Sequence, residues 1–265
     1  MLKIVIQGIL GNMGAEVMKA VSSASDLELV GAVDLSTRKY IVFNEKEIPL
    51  FNNITDCIET LSPDVLVDFS SSHSLLDSVE KCLPSNISVV SGTTGLSDDN
   101  LARIKSLSDK HKTGVIYAAN FAIGAVLLIH IANQLGPFFE YIEINETHHE
   151  NKIDAPSGTA LAIARSIISG RSSDSPLTPP IAKTEVLEGS RGADYEGIKI
   201  HASRMQGMLA QHNLVFGTSG QTLEIKHNTI NRECYMPGVL RAIRDVQNHE
   251  TLIVGLENIL GLSNG

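Results

Sequence analysis

Tryptophan is absent from this 265-residue chain, aromatic side chains make up only 5% of it, and there are three cysteines. Cys57, Cys82 and Cys234 sit in no metal-type or redox-type spacing, so isolated thiols in a reducing compartment are expected. A surplus of positive charge is also lacking. With 21 Lys and Arg against 30 Asp and Glu, the formal net charge is −9, which argues against nucleic-acid binding, since that needs clustered basic residues. No apolar run approaches the roughly 18 residues that a bilayer span requires, so no membrane partner is expected. The start, Met1-Leu2-Lys3-Ile4-Val5-Ile6, lacks the long apolar region of a signal peptide and runs straight into a strand-and-glycine pattern. A cytoplasmic protein is the expectation. Low-complexity blocks are missing as well, and a chain that is 43% hydrophobic can bury a full core.

What is present alternates. Short, β-branched, nearly all-apolar runs at 2–7, 27–33, 65–69, 87–90 and 115–117 read as strands buried on both faces. Between them, 13–22, 75–83 and 101–110 carry helical spacing, the last opened by Ser97-Asp98-Asp99, a capping residue followed by acids. This α/β alternation predicts a doubly wound parallel sheet of Rossmann type. After Asn120 the pattern changes. An apolar helix over 121–135 ends at Gly136-Pro137, 141–147 alternates as a strand, and 158–168 is helical. Residues 170–192, with Thr178-Pro179-Pro180, read as surface loop. Period-2 strands at 198–203, 209–216 and 223–227 predict a mixed or antiparallel sheet, and Met236-Pro237-Gly238 opens a last helix. The expected division is a dinucleotide-binding domain over 1–119 plus about 233–265. A smaller α+β domain for substrate and oligomerisation takes 120–232.

Gly8-Ile9-Leu10-Gly11-Asn12-Met13-Gly14 follows the first strand directly and opens the first helix. Its spacing is G-x-x-G-x-x-G and matches the usual dinucleotide fingerprint only in part. The physics holds nonetheless: Gly8 permits the sharp turn, Gly11 lets backbone approach a pyrophosphate, and Gly14 allows close helix–strand packing. The helix N-terminus then favours the phosphates. Asp34 ends the second strand, where it can accept from ribose hydroxyls and repel a 2′-phosphate, pointing to NAD. Arg38 and Lys39 just beyond pull the other way. Asp68-Phe69-Ser70-Ser71 and Ser91-Gly92-Thr93-Thr94-Gly95 lie at the carboxyl edge of the expected sheet, where ligands of this architecture collect.

The run from Glu146 to Thr159 gathers the chemistry. His148 and His149 at a strand end should point to opposite faces, which argues against both chelating one metal; no zinc set is completed nearby, and no metal is expected. One ring is expected to face a reacting centre and the other a carboxylate. Lys152 supplies an ammonium. Ser157 is a natural helix N-cap, and Gly158 leaves room for a ligand to reach the free N–H groups, with a Ser or Thr hydroxyl completing a carboxylate cradle. Arg232 could clamp a second carboxylate. Such a site holds a small carboxylate-bearing molecule and hands it a proton. At the ordinary imidazole pKa of about 6.5, a histidine there would do so at neutral pH.

In this order along the whole chain, these residues resemble the 4-hydroxy-tetrahydrodipicolinate (dihydrodipicolinate) reductase family of lysine and diaminopimelate biosynthesis. The segments are the glycine turn, Asp34, Asp68-Phe69-Ser70, Gly92-Thr93-Thr94-Gly95, Ala119-Asn120-Phe121, the His148-His149 to Thr159 block and His227 to Arg232. The resemblance implies NAD(P)H-dependent reduction of a cyclic dicarboxylate, with His148 as general acid/base and Lys152 as proton donor and charge stabiliser. It places His149, Gly158 and Thr159 on substrate carboxylates, with Arg232 assisting. On the cofactor it places Gly8, Ile9, Leu10, Gly11, Asn12, Met13, Asp34, Gly92, Thr93, Thr94, Ala118, Ala119, Asn120 and Phe121. It further implies a homotetramer built through the second domain's sheet, and a hinge that closes over both ligands. Asn12 stands where the family often has Arg, and Leu35 where some NADPH-using members carry a basic residue. Both departures lean towards NADH. Gly220-Gln221 replaces the usual Gly-Glu, with no consequence that can be derived. The rival readings are another two-domain dehydrogenase, which would lack the histidine-pair block, and a nucleotide-sensing regulator that catalyses nothing.

Overall fold

A computed structural model of the chain describes residues 1–172, 177 and 180–262. The chain forms two units, one from Met1–Ile123 and Arg232–Gly265 and the other from Gly124–Asn231. The first unit is therefore discontinuous in sequence.

In the first unit, β1 (Leu2–Gln7), α1 (Asn12–Ser23), β2 (Leu27–Val33), β3 (Tyr40–Phe43), β4 (Lys46–Phe51), α2 (Ile54–Leu61) and β5 (Val65–Asp68) come first. They are followed by α3 (Ser72–Cys82), β6 (Ser88–Ser91), α4 (Asp98–His111) and β7 (Val115–Tyr117). Every residue of β5, β6 and β7 is buried, as strands covered on both faces must be. The helix starts follow their caps: Asn53, Ser71 and Ser97 each accept a backbone N–H from the first turn, and Ser97 forms a full capping box with Asn100.

The second unit contains α5 (Ile123–Leu135, which starts at its border), β8 (Tyr141–His148), α6 (Gly158–Ser169), β9 (Ala193–Tyr195), β10 (Ile198–Arg204), β11 (Ala210–Thr218) and β12 (Gln221–Thr229). The chain then returns to the first unit with α7 (Met236–Asp245), β13 (Leu252–Val254) and α8 (Leu256–Ile259). Helix α7 packs on α1, burying Val239, Ala242 and Ile243.

The first sheet has the order β13-β7-β6-β5-β1-β2-β4-β3 and is parallel except for the β3–β4 pair. This is the doubly wound sheet expected from the alternation. From β1 the chain runs outwards through β2 and then returns to β5 on the other side. The carboxyl ends of β1 and β5 therefore mark the switch point where ligands collect. Because β1, β5, β6 and β7 are parallel, the turns after them share one edge: Gly8, Ser70, Gly92 and Ala118. The hairpin of β3 and β4 was not legible in the sequence. Its two-residue turn uses Asn44 and Glu45 at positive φ (49° and 62°) in place of glycine, and Pro49 lies within β4.

The second sheet, β12-β11-β8-β10-β9, is mixed, since β10 runs parallel to β8 while the other pairs are antiparallel. Burial alternates strictly along β8. Ile142 and Ile144 join Leu214, Phe216, Ile198 and Ile200 against Leu128 and Ala132 of α5 and Ile163 and Ile167 of α6. Each large side chain so buried stabilises by about 1.5–3 kcal/mol. Among the described residues between α6 and β9 there is no helix or strand. The loop expectation for 173–176 and 178–179, including Thr178 and Pro179, falls outside the described residues.

Candidate active site

In the first unit the glycine turn is built by close approach. Gly8 has φ +79°, and a Cβ there would lie 2.5 Å from the Phe69 carbonyl oxygen. A Cβ on Gly14 would lie 2.6 Å from Ile9 Cα, so only glycine lets α1 start this near the strand it leaves. Gly11 occupies the N-cap of α1 and offers no side-chain hydrogen bond to the first turn. The N–H groups there are left to an outside acceptor, the arrangement that a pyrophosphate requires. Asp34 is already engaged: its two carboxylate oxygens accept from the Leu10 and Leu35 N–H groups, each at 2.8 Å. These bonds hold the glycine turn to the end of β2. A carboxylate has lone pairs to spare for ribose hydroxyls.

Asp68 is fully buried at the end of β5. Its carboxylate accepts from Ser70 Oγ, from Ser91 Oγ at 2.9 Å and from Thr93 Oγ1 at 2.6 Å. Burial holds its pKa above the ordinary carboxylate range, and the hydroxyl donors oppose that shift. Thr93 Oγ1 also accepts from the Ser70 N–H at 3.0 Å. The Thr93 side chain is thus spent on the turn, so any contact with a cofactor would come from its backbone. Thr94 is exposed. Gly92 lies so close to the Phe69 ring that a Cβ would fall 2.7 Å from Cζ. Phe69 in turn packs on Phe121, with ring centroids 5.9 Å apart. Ala118 and Phe121 are buried, Ala119 is exposed, and Asn120 accepts from the Ala122 N–H at 2.9 Å.

The second unit assembles a buried polar cluster from β8, β10, β11 and the head of α6. Glu146 and His148 lie two residues apart on the inward face of β8. Register pairs Arg204 with His148 on one side and His212 with Glu146 on the other. The Glu146 side chain has no exposed surface. One of its oxygens takes His148 Nδ1 and Arg204 Nη1 (3.0 Å); the other takes Arg204 Nη2 (3.0 Å) and the Ser157 N–H (3.1 Å). Burial alone would raise the pKa of this carboxyl, but Arg204, His148 and Ser157 outweigh it, and the pKa lies below its ordinary value.

His148 itself is pushed down by burial, with Lys152 and Arg204 adding to the effect and Glu146 opposing it. This corrects the expectation of an unperturbed imidazole: in the free chain at neutral pH its proton is held less tightly. Its ring meets His212 edge-on, with centroids 5.4 Å apart. Burial, with His148 second, depresses His212 to about 4. The neutral His212 bonds Ser157 Oγ through Nε2 at 3.2 Å.

Ser157 is the N-cap of α6, as read, with Oγ accepting from the Ala160 N–H at 3.2 Å. Its hydroxyl is buried and bonded within the protein, which leaves Thr159 as the available hydroxyl of that turn. A Cβ on Gly158 would meet nothing within 4 Å, so there is open space over the helix start. Lys152 Nζ binds Asp154 at 2.5 Å, and Lys152 holds the Asp154 carboxyl below its usual range. His149 is half-buried.

The cluster therefore contains His148 and Ser157, within electrostatic reach of Lys152. Arg232 falls in the first unit, exposed on a short 3-10 turn. Sequence reasoning missed Glu146, Arg204, His212 and Asp154. Only Glu146 left a local signal, its two-residue spacing from His148. The others reach the site through strand register or a turn.

Comparison with known proteins agrees over the whole chain. The family described as "Dihydrodipicolinate reductase, N-terminus" matches residues 2–121, and "Dihydrodipicolinate reductase, C-terminus" matches 123–260. The 4-hydroxy-tetrahydrodipicolinate reductase of Listeria monocytogenes serotype 4b (strain CLIP80459) is 36% identical over 264 residues, covering 98% of this chain and 100% of that one. The protein of the same name from Corynebacterium efficiens is 40% identical, with 98% and 99% covered. A solved structure described as dipicolinate-bound dihydrodipicolinate reductase, from Paenisporosarcina sp. TG-14, superposes with a TM-score of 0.88 at 37% identity, covering 98% and 99%. An amine dehydrogenase of Mycobacterium smegmatis, at 12% identity and a TM-score of 0.66 over 97% and 95%, shares the fold alone. With both halves matched end to end and the histidine–lysine block carried on the second sheet, this chain belongs to the dihydrodipicolinate reductase family.

Proposed function

We propose that the chain reduces 4-hydroxy-tetrahydrodipicolinate to tetrahydrodipicolinate with NADH or NADPH, in lysine and diaminopimelate biosynthesis. The observation that carries this reading is the buried Glu146–His148 pair beside Lys152 at the head of α6, in a chain that matches the reductase family throughout. The first unit suits a dinucleotide: Gly8 to Met13 with the uncapped start of α1 for the pyrophosphate, Asp34 for the ribose, and the Gly92 to Thr94 and Ala118 to Phe121 turns beyond. When bound, the reduced nicotinamide supplies the hydride.

The second unit does the acid–base work. His148 gives a proton to the reduced substrate, and the two negative charges of a dicarboxylate raise the low pKa that burial imposes on the imidazole. Lys152 leaves Asp154 to stabilise developing negative charge. The first turn of α6 offers its backbone and the Thr159 hydroxyl to a carboxylate, with His149 beside it and Arg232 as a second clamp. Asn12 and Leu35 withhold the positive charge that a 2′-phosphate needs, so NADH is the preferred reductant. Helices α5 and α6 both cover one face of the second sheet, and the other face suits the homotetramer that the family resemblance implies. Among the described residues no helix is long and apolar enough to cross a membrane, and we place the enzyme in the cytoplasm.

The test follows oxidation of NADH and NADPH with substrate made in place by the preceding synthase. His148→Ala and Lys152→Ala should each lower kcat about 10²-fold or more, and kcat/KM should be higher with NADH. Near-normal turnover in both variants would overturn the assignment.

A further inference from the structure

The buried carboxylate behind His148 is more than a structural anchor. Glu146 accepts four hydrogen bonds: Arg204 Nη1 and Nη2, the Ser157 N–H and His148 Nδ1. A carboxylate has about four lone-pair directions, so this one is saturated. Three of the four donors cannot be anything else, because a guanidinium and a backbone N–H carry no acceptor. The group facing Nδ1 is therefore an ionised acceptor. In the neutral ring Nδ1 must hold the hydrogen, and Nε2 must hold the lone pair. No described residue hydrogen-bonds Nε2.

Arg204 extends the clamp. Its Nη2 also donates to the Asp154 carbonyl at 2.6 Å, and its Nη1 to the Ser203 carbonyl at 2.6 Å. One guanidinium thus ties β10, the Glu146 carboxylate and the turn that carries Lys152. Charged groups near the ring come from each neighbouring element: Glu146 on β8, Arg204 on β10 and Lys152 in the turn, with neutral His212 on β11 backed by His227 of β12.

We propose that Glu146 and Arg204 are positioning residues for the reductase reaction: together they fix His148 as the Nδ1–H tautomer and so make Nε2 the nitrogen that gives up the proton. In the reactive form both nitrogens are protonated. Nε2–H loses its proton to the substrate, Nδ1–H stays on Glu146, and a neutral imidazole remains. This rests on the role given to His148 above, and the two are tested by different readouts.

The experiment is ¹⁵N NMR of the imidazole rings, with His148 assigned by its absence in His148→Gln, alongside steady-state kinetics. Wild type at neutral pH should show Nδ1 protonated and Nε2 bare. In Glu146→Gln one carboxylate oxygen becomes an amide NH₂ facing only donors. The ring is the one partner able to turn acceptor, so its tautomer should shift to Nε2–H. The kcat of that variant should fall about 10²-fold or more while KM for NADH holds. Arg204→Lys keeps a charge but loses the fork; it should retain the Nδ1–H ring and lose about 10-fold in kcat. A wild-type ring protonated on Nε2 overturns the proposal, even if Glu146→Gln fails to accumulate. So does a Glu146→Gln enzyme with an unchanged ring and unchanged kcat. Full turnover in His148→Gln, by contrast, removes the acid–base role and leaves the tautomer result standing.

Discussion

His212 makes the second unit sensitive to acid, and the size of the effect follows from where it sits. The ring is buried, presses edge-on to His148 and is held neutral with a pKa of about 4. In the unfolded chain it titrates near 6.5. The folded value is the lower one, so the unfolded state takes up the proton first. The stabilising contribution is complete above about pH 6.5 and is lost as the pH falls towards 4. Over that shift of about 2.5 units at about 1.4 kcal/mol each, the full loss is about 3 kcal/mol, with about 2 kcal/mol gone by pH 5. His212→Gln stays neutral throughout and keeps an amide for Ser157 Oγ. Its urea midpoint should fall less between about pH 7.5 and pH 5 than that of wild type, by the equivalent of about 2 kcal/mol. Without tryptophan, unfolding is followed by circular dichroism, and amide exchange along β11 locates the loss. Parallel acid destabilisation of wild type and variant would refute the reasoning.

Two further predictions concern the first unit. Gly14→Ala forces a methyl to within 2.6 Å of Ile9 Cα, backbone that cannot swing aside. The variant should lose about 1–3 kcal/mol of stability and bind NADH weakly by calorimetry; wild-type affinity would show that the helix start can shift. Thr93→Val removes the acceptor of the Ser70 N–H and a donor to Asp68. It should cost about 1–3 kcal/mol and raise KM for NADH, and Thr93→Ser should restore both. A valine variant as stable as wild type would mean that water replaces the lost bonds.

Much of the architecture was written locally. All-apolar β-branched runs, separated by capped amphipathic stretches, specify a parallel sheet because only such strands tolerate cover on both faces. The glycine turn could be read for the same reason: steric exclusion acts between near neighbours, and Gly8 and Gly14 have no substitutes. The β3–β4 hairpin escaped because Asn44 and Glu45 take up left-handed backbone without glycine. The three-residue strand β9, with Asp194 at its centre, shows neither an apolar run nor a periodicity.

At the candidate site the division is sharper. The sequence by itself determined that two histidines, a lysine and a helix cap stand within one short segment. It could not say which histidine is buried, nor what surrounds it. Tertiary structure decided that His148 turns inward, that Arg204 from β10 and His212 from β11 close on it, and that Ser157 spends its hydroxyl inside the protein. The physical reason is register. Residues 56 positions apart (His148 and Arg204) and 66 apart (Glu146 and His212) are brought opposite one another by the shared core of the second sheet, and no local pattern encodes which side chain then faces which.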